Sequence, residues 1–131
     1  MFIHYISVNN NGVFSSGKLR KNNHSYLKVI TGEAGEKIHL ACMGIAVAMK
    51  KDGIKIKTYS ISSVLSDQLN LRDADAEWYH IHLDKTSEPL SAPLVSLLRT
   101  LAFTGRNVLM SLHDNEIEDL IYRLNNQSVI L

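Results

Sequence analysis

From Leu40 to Met49 the chain carries no polar side chain apart from the thiol of Cys42. The run consists of small residues (Ala41, Gly44, Ala46, Ala48) and mid-sized ones (Leu40, Met43, Ile45, Val47, Met49). At about ten residues it is too short for a bilayer, which takes roughly twenty. A helix that is apolar all round is a buried helix, and small residues let neighbouring backbones approach. The expectation is a helix over 35–51 pressed between a sheet and another layer. The remainder of the chain must supply both.

Strand and helix patterns alternate on either side of it. Phe2–Val8 is β-rich and ends in Asn9-Asn-Asn-Gly12, a run suited to a tight hairpin turn. Val13–Lys21 reads as the returning strand, with Gly17 at a bulge position, and Ser25–Thr31 as a third strand after the turn at Asn22-Asn23. Gly53 ends the apolar helix, and the alternation of Ile54–Tyr59 marks a half-buried strand. Ser60 then caps a short helix with Ile61, Val64, Leu65 and Leu69 on one side, and Arg72–Asp75 is a loop.

Glu77–Asp84 is another strand, with Tyr79, Ile81 and Leu83 on one face and Trp78, His80, His82 and Asp84 on the other, solvated face. Ser91-Ala-Pro93 opens a helix whose stripe is Leu94, Val95, Leu98, Leu101 and Ala102, ended by Gly105. Asn107–Leu112 is a strand. Asp114-Asn115, with Glu118 behind them, cap a last helix with the stripe Ile117, Leu120, Ile121, Leu124. Val129–Leu131 docks as a short terminal strand. The fold class is α/β over a single domain, 1–131: a mixed sheet with an N-terminal antiparallel three-strand meander, then parallel βα units.

A chain of 131 residues with 45% apolar and 21% charged side chains can bury a core without staples. Cys42 is the only cysteine, so it forms no intrachain disulfide and reads as a buried structural thiol. The opening Met1–Ser7 lacks a basic region and soon turns polar, so the expectation is a cytoplasmic protein without a signal peptide or membrane span. Residues 1–60 hold nine Lys/Arg against three Asp/Glu, and residues 61–131 five against ten, so a basic half precedes an acidic one.

The order of elements resembles that of the ribonuclease H-like fold. Ile38-His-Leu-Ala-Cys-Met-Gly-Ile-Ala-Val-Ala-Met49 is similar to the family's first helix, and Lys57-Thr-Tyr-Ser-Ile-Ser-Ser-Val-Leu65 to the stretch ending its fourth strand. The similarity covers residues 1–104, leaving an extra C-terminal strand and helix. The family cleaves RNA in RNA–DNA hybrids with two divalent metals held by about four carboxylates. At the matching positions this chain has no acid in Phe2–Val8, His39 in place of the helix glutamate, Ser60 in place of the aspartate, and none in Ser91–Thr104. Glu36 and Asp84 are the only acids near the pattern. The resemblance therefore implies the fold without the nuclease activity, and no catalytic residue is assigned.

Three functions follow. Lys18, Arg20, Lys21, His24 and Lys28 cluster on the second and third strands beside Phe14 and Tyr26, the residue mix that neutralises phosphates and stacks bases. This favours a non-catalytic domain engaging nucleic acid or a nucleic-acid-processing protein. The alternative is a protein-interaction adaptor or inhibitor using Asp73, Asp75, Glu77, Glu116, Glu118 and Asp119. The third is a hydrolase with zinc on His80, His82 and Asp84, whose i, i+2, i+4 side chains project together and which would need His4, His39 or His113 as well. Such a trio is commoner on a wet strand face than at a metal, so neither metal nor cofactor is expected. No phosphate-cradling glycine loop occurs in the chain.

Overall fold

The computed structural model describes residues 2–17, 26–32, 35–60, 76–82 and 90–126, with no side-chain description for 35 and 36. Six strands, β1 (Phe2–Val8), β2 (Phe14–Ser16), β3 (Tyr26–Gly32), β4 (Ile56–Ser60), β5 (Trp78–His82) and β6 (Asn107–His113), form one sheet in the order β2-β1-β3-β6-β5-β4. β1 pairs antiparallel with β2 and β3, whereas β3, β6, β5 and β4 run parallel. The antiparallel part is thus not a simple meander: β1 lies in the middle and β3 returns to it. Helices are α1 (Gly35–Lys51), α2 (Ala92–Phe103) and α3 (Ile117–Asn126).

The crossover through α1 carries the chain from β3 past two strands to β4, and the later crossover through α2 steps back from β5 to β6. Connections of one hand that run in opposite directions must lie on opposite faces. Ile30, Leu109, Trp78 and Ile56 accordingly meet Cys42, Ala46 and Met49 of α1 on one face. On the other, Ile6, Leu27, Val29, Tyr79, Ile81, Val108, Met110 and Leu112 meet α2 and α3. Alternation along each strand divides these two sets. Leu94, Val95, Leu98, Leu101 and Ala102 of α2 and Ile117, Leu120 and Leu124 of α3 are buried as their stripes predict.

α1 departs from expectation. It buries Ile38, Cys42, Ala46 and Met49, spaced by four, four and three, and no second layer from the described residues covers its outer side. Leu40, Met43 and Val47 are 65%, 43% and 55% exposed. The all-apolar composition reflects two different faces, one packed on the sheet and one facing outward. Close packing at its start depends on Gly32, where any Cβ would fall inside van der Waals contact with Ile38 Cγ2.

The first hairpin turn forms as its asparagines suggest. Asn9 Oδ1 accepts from the backbone N–H of Asn11 (2.9 Å) and Val13 (3.0 Å), and Gly12 takes φ +78°. β2 is shorter than the strand expected over Val13–Lys21, and Gly17 is no bulge: its N–H donates to the Tyr5 carbonyl at 3.0 Å. Asn125 of α3 clasps this strand, accepting from Phe14 N–H at 2.7 Å and donating to its carbonyl at 2.9 Å. Arg99 lies against both the Phe14 and Phe103 rings and donates to the Leu124 carbonyl, linking α2 to α3.

Ser60 is the last residue of β4. The helix expected after it, the loop at 72–75 and the terminal strand at 129–131 lie outside the described residues. At the last helix, Glu116 rather than Glu118 closes the cap, accepting from His113 N–H at 3.0 Å over a 3-10 turn at Asp114–Glu116.

Candidate functional site

Of the five basic residues proposed for nucleic acid, Lys28 lies in β3, while Lys18, Arg20, Lys21 and His24 fall outside the described residues. Tyr26, Lys28 and Ile30 project to the α1 face, opposite Ser7, Tyr5 and Ile3 of β1. α1 packs on β3, β6, β4 and β5. Tyr5, Tyr26 and Lys28 are therefore left partly exposed at its margin. Lys28 Nζ stands 5.9 Å over the Tyr5 ring centroid, and the Tyr5 and Tyr26 rings meet edge to face at 5.7 Å. Trp78 supports Tyr26 from behind at 5.0 Å. Burial, and to a lesser degree Tyr5, pushes the Tyr26 hydroxyl above its ordinary pKa, so it stays protonated at neutral pH.

The β5 face expected to be wet is in fact covered by α1. His80 is 2% exposed and Trp78 is buried beside Met49 and Ile56. His80 Nδ1 lies 3.1 Å from Thr58 Oγ1, and its ring is 6.2 Å from that of His82. Burial first, and the neighbouring His82 second, lower its pKa from 6.5 to about 4, so His80 is neutral at physiological pH.

His39, on the second turn of α1, comes down on the same row. Its Nδ1 lies 2.5 Å from Ser111 Oγ, and its ring is 6.1 Å from His82. Ser60 stands opposite His82 in the β4–β5 register. His39, His82 and Ser60 thus converge at the carboxyl ends of the parallel strands, whereas Asp84 lies outside the described residues.

Chemically, a serine within hydrogen-bond reach of a histidine is the start of a nucleophile–base pair. Ser111 is only 2% exposed, however, and a nucleophile must be reached by its substrate. The pair instead ties α1 to β6 through a polar contact inside an otherwise apolar interface. In open α/β sheets ligands favour the crevice where connections from adjacent parallel strands diverge. Here that point lies between β3, which leaves through α1, and β6, which leaves through α3. Its α1 side is filled by Ile38 against Gly32 and His39 against Ser111. Among the described residues no group of three His, Cys, Asp or Glu side chains is placed to hold a metal ion.

The acids proposed for a protein partner are dispersed. Glu116 closes the cap described above, Asp119 pairs with Arg123 at 3.2 Å, and Glu77 and Glu118 are exposed. Asp73 and Asp75 lie outside the described residues. Cys42 is buried and its thiol is pushed up to about 12 by burial, which keeps it protonated and unreactive.

One feature went unread in the sequence. Between α1 and β4 lies an open cavity of about 430 Å³, lined by Met43, Val47 and Lys50 of α1 and by Ile56, Thr58 and His80 of the sheet. The spacing of Met43, Val47 and Lys50 was legible as one helix face. That β4 would stand beside that face was not, because the crossover skips two strands. No described helix is long and apolar enough to cross a membrane. Comparison with protein-family models, with curated proteins and with solved structures gives no match.

Proposed function

We propose that this chain is a non-catalytic α/β binding domain that engages single-stranded nucleic acid on the open margin of its sheet. The observation that carries the reading is the Tyr5–Lys28–Tyr26 group, partly exposed where α1 leaves the sheet uncovered. Flat aromatic rings beside a cation on a sheet face suit bases and phosphates together, and each stacked base contributes about 1–3 kcal/mol. Connectivity adds to it. Gly17 N–H donates to the Tyr5 carbonyl, and Tyr26 N–H donates to Asn107 Oδ1 at 3.0 Å. Lys18, Arg20, Lys21 and His24 lie between these two residues in the sequence. The ribonuclease H-like kinship is itself a proposal from element order and local similarity, and this reading does not depend on it.

Anisotropy of labelled single-stranded DNA and RNA, titrated at low and rising salt, tests it. Binding should weaken steeply with salt, Tyr5→Ala should weaken it by about 5- to 100-fold, and Lys28→Gln should lower the salt slope by about one. Absence of binding at low salt refutes it, because phosphate contacts are strongest there. A protein-interaction adaptor is the second reading. Its support is the exposed Leu40, Met43 and Val47 on α1 rather than the acidic half, since Glu116 and Asp119 are engaged within the chain.

A further inference from the structure

β4 ends the sheet on the side away from β2, and its neighbour fixes the direction of its backbone groups. The Lys55 carbonyl accepts from the N–H of Glu77 (2.8 Å) and Trp78 (3.0 Å), and the parallel register sets Ile56 opposite Trp78 and Thr58 opposite His80. Successive residues of a strand turn their N–H and C=O to opposite edges, so Lys57 and Tyr59 bond to β5 while Ile56 and Thr58 turn theirs outward. Thr58 is exposed, and among the described residues no strand pairs with that edge. Ile56–Ser60 holds neither a proline nor a bulge, two common guards of a bare edge, and it pairs with β5 without a break. Lys57, which alternates with Ile56 and Thr58, shares the face away from α1 with Tyr59, whose ring stacks on Tyr79 at 5.9 Å.

We infer that this edge pairs with β4 of a second copy, antiparallel about a two-fold axis at Thr58, to give a dimer with one continuous sheet. The strand is self-complementary in that register. Thr58 meets the partner's Thr58 and exchanges both backbone bonds with it, and Ile56 meets the partner's Ser60. Lys57 stands opposite the partner's Tyr59, so each ammonium meets an aromatic ring instead of a second lysine. A slip of two residues one way would set Lys57 against the partner's Lys57, and a slip the other way would carry Ile56 past the end of the partner's β4. On the α1 side, the open cavity lined by Met43, Val47 and Ile56 lies beside the junction, and the axis brings its copy up to it. Met43 and Val47, 43% and 55% exposed, gain apolar cover there. An unrelated extended peptide would satisfy the same backbone groups. A second copy adds the Lys57–Tyr59 match, twice over, and a second apolar wall.

Sedimentation equilibrium of the full chain from about 1 μM to 1 mM tests the pairing. The mass should rise from 14.7 kDa to twice that value, with a Kd below about 100 μM. Thr58→Pro removes an N–H that is exchanged across the axis and leaves the bonds to β5 in place, so it should weaken the dimer by at least about tenfold. Lys57→Glu, at an exposed position, should weaken it by about three- to tenfold and reports the interface whatever proline does to the strand. Exchange of the Thr58 amide should be slower by at least about threefold at ten times the Kd than at a tenth of it. A mass that stays at 14.7 kDa throughout overturns the proposal and leaves the edge to an extended segment of another protein. A dimer that both variants leave unweakened, or Thr58 exchange that ignores concentration, overturns it too, by placing the contact elsewhere. β6 and β5 separate β4 from the Tyr5–Tyr26 margin, so none of these outcomes bears on oligonucleotide binding.

Discussion

Replacing Gly32 with alanine probes the packing of the sheet against the start of α1. Gly32 lies in β3, and its φ is outside the left-handed region, so alanine meets no backbone strain there. In open space the change would stabilise by about 0.4–1 kcal/mol, because it reduces the freedom of the unfolded chain. The added Cβ, however, runs into Ile38 Cγ2, a branch methyl on a side chain that is 4% exposed. A β-branched residue in a helix has one strongly preferred χ1, so this methyl has no easy rotation away. Overpacking of this kind costs about 1–3 kcal/mol, which outweighs the entropic gain and leaves a net destabilisation of about 0.5–2 kcal/mol. Urea denaturation of Gly32→Ala, Ile38→Ala and the double variant supplies the assay. Ile38→Ala alone should lose about 2–5 kcal/mol, and the double variant should fall short of the sum by about 1–3 kcal/mol because the clash has gone. A stabilised Gly32→Ala protein, or strictly additive losses, would refute the proposed contact.

Four further outcomes are expected. The depressed His80 pKa means that the unfolded chain takes up a proton between pH 6.5 and about 4 that the folded one refuses. His80 therefore leaves stability intact above pH 6.5 and withdraws up to about 3 kcal/mol as pH falls toward 4, so urea midpoints of His80→Gln should decline less with acid than wild type. Thr31 Oγ1 is buried without a hydrogen-bond partner among the described residues, and Thr31→Val should raise stability by about 1 kcal/mol in the same assay. Leu120→Ala, at a fully buried site, should lose about 2–5 kcal/mol, whereas Leu40→Ala on the outer face of α1 should stay within about 0.5 kcal/mol. Asn125→Ala should lose about 1 kcal/mol and accelerate hydrogen exchange at the Phe14 amide, and unchanged exchange would rule out the clasp.

Elements with a strong period were legible from residues alone. The stripes of α2 and α3 and the alternation of β4 give their types and inward faces, because one buried side forces that spacing. Two readings failed for a shared reason. Composition predicts burial all round for the apolar stretch of α1, and alternation predicts a solvated His80 side for β5. Both depend on which layer lies over which face, and sequence period cannot encode that. It is decided by the crossover from β3 to β4, which lays α1 across β6 and β5 and leaves its outer side uncovered by the described residues. His80 and Trp78 are buried by a helix about thirty residues earlier in the chain, and hydropathy along β5 carries no sign of it. The convergence of His39 with Ser111 was likewise hidden, since the two are 72 residues apart. His39 and Ser60 both stand beside His82.

Asn125 bears on how these chains meet one another. A sheet edge invites a further strand through its outward N–H and C=O groups. At β2 both backbone groups of Phe14 are already held by a carboxamide from the same chain, which imitates the strand that would otherwise arrive. Addition on that side must first dislodge an intramolecular partner that is always at hand. Filaments built edge to edge require two receptive edges per copy. By holding Phe14, a single residue of α3 hinders edge-to-edge growth on the β2 side of the sheet.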